Sequence, residues 1–257
     1  MGHLRLGILP KGKRWNQVVE LLGSTGDVAN LAAATALAAE AELEAAKGDP
    51  ALAYTVWLLT QLPLAARSPQ FSARLGELGF EAGSEQSVLG LTAGFTTAID
   101  RQVSGSAQLT DFGDLARQSA VESLSSLVGA GMPSLFGTSA DDLQRELAKI
   151  GSKDRFASLA RDFFARLTQK TLEYYISREL PNHVGPGKTI DSIGSQIAFR
   201  GALESHCREA SLIVEEFAGG WYSKANYKGA ISPSQAQGFA DYSLKKLRDE
   251  LRMRRGG

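Results

Sequence analysis

The sequence predicts an all-α fold, a multi-helix bundle of roughly nine to ten helices built as one compact domain or as two helical layers. Three observations point there. Apolar residues recur at helical spacing along nearly the whole chain, and the breaks carry capping residues. No segment shows strand alternation, and nothing repeats with a period of about 20–50 residues.

Trp15, Val18, Val19 and Leu22 follow the i, i+3, i+4, i+7 stripe of a core-facing helix, which Gly23 ends. After a turn at 23–26, the Ala-rich stretch 28–47 reads as the next helix, alanine having the highest helix propensity. Asp49-Pro50 is an N-cap with proline at the first helical position, a device that Ser68-Pro69 and Ser232-Pro233 repeat. Ser232 with Gln235, and Ser139 with Asp142, resemble capping boxes. Further helices are expected at roughly 84–103, 111–129, 140–149, 153–180, 190–218 and 233–253. Pro181 is expected to terminate the 153–180 helix, and Gly219-Gly220 the 190–218 helix.

Apolar residues at 43% and charged residues at 22% exclude extended disorder. Lys plus Arg equals Asp plus Glu at 28 each, so no overall field draws the chain to a polyanion or a membrane. The charge is unevenly placed, with 9 basic and 13 acidic residues up to position 140 and 19 and 15 beyond it. The Gly/Ser/Pro-rich stretch 129–139 coincides with that shift. It suggests an acidic helical region over 1–135 and a basic one over 140–257, or one domain spanning both.

Cys207 is the sole cysteine, so no intrachain disulfide forms, and residues 1–13 lack the apolar run of a signal peptide. A cytoplasmic protein is expected, and the abundance of Ala, Gly, Leu and Arg fits a bacterial one.

No reaction is legible. Gly185-Pro186-Gly187-Lys188-Thr189 looks like the end of a phosphate-binding loop, but the required earlier glycine is Asn182 and a helix, not a strand, precedes it. His3, His183 and His206 are dispersed, so no metal and no cofactor are expected. His206 and Cys207 are helical neighbours whose side chains diverge by about 100°. Glu204 and Arg208 have the spacing of a solvated ion pair. Stretches 50–66, 86–99 and 123–140 carry no charge, and Gly90 and Gly94 have a spacing that lets helices approach closely. Their Ser, Thr, Gln and Pro content favours buried helices over constitutive membrane spans.

The segment 219–229 sets Trp221, Tyr222, Lys224, Tyr227 and Lys228 between glycines, where a solvent-facing loop is expected. Aromatic residues of this kind dominate binding hot spots, although Trp221 and Tyr222 also suit a plug for the bundle end. Lys245, Lys246, Arg248, Arg252, Arg254 and Arg255 form a basic helical tail suited to a polyanion or an acidic partner. A second basic cluster, Lys11, Lys13 and Arg14, lies beside Trp15. Together these features predict a non-catalytic adaptor or subunit of a larger assembly that binds a protein partner through the aromatic–basic segment. Nucleic-acid binding through the basic helix and conditional membrane insertion are the other classes that fit.

Overall fold

The structure is a computed structural model and describes residues 9, 11–106, 110–132 and 139–253. Among the described residues it is an all-α bundle whose only strand-like pairing is a bridge between Val184 and Ile190. One cluster of buried apolar side chains runs from Trp15 to Leu251.

The N-terminal part comprises α1 (Lys13–Gly23), α2 (Val28–Ala38), α3 (Glu40–Ala45) and α4 (Pro50–Ala66). The expected 28–47 helix is interrupted at Ala39. Asp49 caps α4 by accepting a hydrogen bond from the Leu52 amide at 2.8 Å, with Pro50 at the first helical position. α4 is the uncharged helix at the centre, packed against helices of both chain halves. Its lack of charge follows from burial, since a helix covered on most sides has no solvated face to carry ions.

Ser68-Pro69 does not open the next helix. α5 (Phe71–Glu77) starts behind Gln70, whose amide donates to Ser68 Oγ at 3.1 Å in a local turn. A short 3-10 turn (Ser84–Gln86) precedes α6 (Val88–Ser106). There Gly94 admits the 80–84 segment. A Cβ would lie 2.5 Å from Ser84 Oγ and 2.7 Å from Phe80, so the small-residue spacing serves an internal contact. Among the described residues no helix is long and apolar enough to cross a membrane.

α7 (Asp111–Gly131), α8 (Ala140–Ile150), α9 (Lys153–His183), α10 (Ile193–Ala210), α11 (Leu212–Tyr227) and α12 (Pro233–Met253) complete the bundle. The capping boxes at Ser139 and Ser232 are both formed. α9, at 31 residues and roughly 46 Å, is the spine along which α7, α10 and α11 lie.

Two helix ends differ from expectation. Pro181 lies inside the last turn of α9, where only two helical residues follow and one backbone hydrogen bond is forfeited. The 190–218 helix breaks earlier, at Ser211, whose hydroxyl donates to the Cys207 carbonyl at 2.7 Å. α11 then continues through Gly219-Gly220, which therefore do not end a helix. Gly219 instead lets the start of α9 approach, since a Cβ there would sit 2.4 Å from the Lys153 carbonyl oxygen.

Candidate functional site at the α11–α12 face

Because α11 persists to Tyr227, the expected loop is a helix and its aromatic residues separate by helical phase. Tyr222 turns inward and is 1% exposed, stacked on Phe156 with ring centroids 4.0 Å apart. Burial pushes its phenol up to about 12, and its hydroxyl has no hydrogen-bond partner among the described residues. Tyr222 is thus core, as the plug alternative has it, and cannot meet a partner in this fold. Trp221 is half-buried and stacks on Phe239 of α12 at 4.2 Å. Lys224, Tyr227 and Lys228 are exposed, Tyr227 at 93%.

The structure adds two residues to this group. Phe217 sits one turn before Trp221 and meets Tyr242 of α12 edge to face at 4.9 Å. Lys246 lies 5.6 Å from the Tyr242 ring, within cation–π reach. α11 and α12 pack against each other and are joined by a short turn, with Trp57 Nε1 donating to the Ile231 carbonyl at 2.9 Å to pin that turn onto α4. Phe217, Trp221, Lys224 and Lys228 thus share one face of α11 by helical phase, with Tyr242 and Lys246 beside Phe217, while Tyr227 stands exposed at the last turn. Phe217 and Trp221 are four residues apart, a spacing visible in the sequence once the helix is allowed to pass through the glycine pair.

The basic tail is partly committed elsewhere. Arg248 pairs with Glu44 and with Asp249, and Arg252 with Glu40 at 3.3 Å. These contacts hold the end of α12 against α3. Lys245 is exposed, Lys246 is partly exposed, and Arg254 and Arg255 lie outside the described residues. Arg14 also pairs with Glu40, so α1 and α12 share one carboxylate.

The phosphate-loop likeness has a structural use. Lys188 Nζ donates to the Gly23 carbonyl at 2.8 Å, and Thr189 Oγ1 lies 2.6 Å from the Leu21 carbonyl and 2.9 Å from that of Ser24. Thr25 Oγ1 returns a bond to the Gly187 carbonyl at 2.9 Å. The loop therefore satisfies carbonyls that α1 leaves open at its C-terminus. Cys207 is fully buried, and burial pushes its thiol well above the usual range, the opposite of an activated nucleophile. His206 instead lines a cleft of about 550 Å³ with Arg14, Gln17 and Asn30. Among the described residues no group of His, Cys, Asp and Glu is placed to hold a metal ion.

No protein family, curated protein or solved structure matches the chain.

Proposed function

We propose that the protein is a non-catalytic helical adaptor or subunit that binds a partner protein through the α11–α12 face. The observation carrying this reading is the nearly complete exposure of Tyr227 at the end of α11, next to exposed Lys224 and Lys228, on the same hairpin as the Trp221–Phe239 and Phe217–Tyr242 ring contacts. Trp221 and Tyr242, held against Phe239 and Phe217, lose little entropy on binding, and the exposed Tyr227 ring adds contact area. The lysines favour a partner surface carrying carboxylates, with steering that weakens as salt screens it.

Purification from the native cell tests the reading. The wild-type chain retains a partner, and Tyr227→Ala combined with Lys224→Glu releases it while the helical circular dichroism signal and melting temperature stay unchanged. Retention of the same partner by that double variant contradicts the proposal, as does a wild-type chain that purifies with none.

A further inference from the structure

A cleft of about 550 Å³ opens in the side of the bundle, with α2 as its floor and α1, α10 and the end of α12 as its walls. That volume lies within the range of small-molecule sites. Ala33, Ala34 and Leu37 line the floor only partly buried, and Leu21 of α1 flanks it. The alanines keep the hollow open, since a larger side chain at either position would occupy it. The polar groups around the cleft are unspent. The side chains of Gln17, Asn30 and His206 have no hydrogen-bond or ion-pair partner among the described residues, and none of the lining residues is acidic. At the Leu37 end the charges do not cancel. Arg14 donates through Nη1 to the Leu37 carbonyl at 2.8 Å and pairs with Glu40. Arg252, next to the lining residue Leu251, pairs with the same Glu40 at 3.3 Å. Among the described residues neither arginine has a second carboxylate, so two guanidinium groups share one. Both bonds of Arg14 are made by Nη1, which leaves Nη2 able to donate into the cleft.

We propose that this cleft binds a small monocarboxylic acid with an apolar body, its carboxylate at the Arg14 end and its hydrocarbon laid along α2 towards Asn30. A carboxylate answers the second guanidinium, which neither an ammonium group nor a hydroxyl does. The hydrocarbon covers the half-buried alanines and leucines that water otherwise meets. From Leu37 back to Asn30 the floor spans roughly 10 Å of helix, a length that an extended octanoate chain matches. The cleft is separate from the α11–α12 face, and the proposal does not depend on the adaptor reading.

Calorimetric titration of the purified full chain with octanoate, and separately with octylamine, tests the proposal. Octanoate is expected to bind with a Kd of about 1 mM or tighter, and about 10-fold or more tighter than octylamine. Ala34→Leu fills the floor and weakens octanoate by about 10-fold or more. Arg252→Gln, an exposed change that leaves one arginine to one carboxylate, weakens it by about 3-fold or more. Gln17→Glu sets a carboxylate on the exposed rim and weakens it by about 5-fold or more, which keeps the test open if Ala34→Leu does not fold. Thermal melts without ligand report whether each variant is folded. No binding of octanoate at about 10 mM overturns the proposal, as does octylamine binding equally well. Octanoate binding that is indifferent to both Gln17→Glu and a folded Ala34→Leu overturns it equally.

Discussion

Glu42 is a carboxylate in the core, 6% exposed beneath α1. Trp15 Nε1 donates to its Oε1 at 2.9 Å, while Oε2 has no hydrogen-bond partner among the described residues. Burial therefore outweighs the Trp15 bond and raises the carboxyl above its ordinary 4.5. The folded chain then holds this proton more tightly than the unfolded chain. Its contribution to stability is complete below the ordinary value and is lost as pH rises through the raised one. Glu42→Gln keeps an acceptor for Trp15 and removes the ionisation. It should raise the melting temperature at pH 7 by about 2 °C or more, with the gain shrinking towards pH 4. Calorimetry at the two pH values checks this, and an unchanged or lower melting temperature at pH 7 contradicts it.

At the scale of elements, the adjacent glycines of α11 show how one residue type serves opposite ends. Gly219 sits under the Lys153 carbonyl, whereas a Cβ on Gly220 meets nothing within 4 Å. Gly219→Ala should destabilise the chain by about 1–3 kcal/mol through overpacking. Gly220→Ala should stabilise it by about 0.5–1 kcal/mol through helix propensity. Urea denaturation of the two variants distinguishes the signs, and two effects of the same sign would contradict the packing described. This pair also marks where reading the sequence stops. The capped starts at Asp49, Ser139 and Ser232 were legible because a cap is a local hydrogen bond between near neighbours. The passage of α11 through Gly219-Gly220 was not, because it depends on α9, which begins 66 residues earlier in the chain at Lys153. Misplacing that one boundary put Tyr222 on the surface and left Phe217 and Tyr242 out of the candidate site. The Ser211 break has no such local mark, since Ser119, Thr168, Thr171 and Ser243 make the same back-bond inside continuous helices.

In the molecule as a whole, the two chain halves of opposite net charge are interleaved. α4 packs against α12, α2 against α10, and the basic end of α12 is spent on Glu40 and Glu44. The uneven charge thus supplies internal ion pairs as well as surface. Lys224 and Lys228 stay outward at the α11–α12 tip, and the adaptor reading rests on that tip. Site-specific photocrosslinking in the native cell tests it most directly, with the reactive group replacing Tyr227 and, as a control, the exposed Ser126 of α7. The account predicts one discrete crosslinked partner from position 227 that Lys224→Glu diminishes, and none from position 126. Equal labelling from both positions, or no partner from 227, would contradict it.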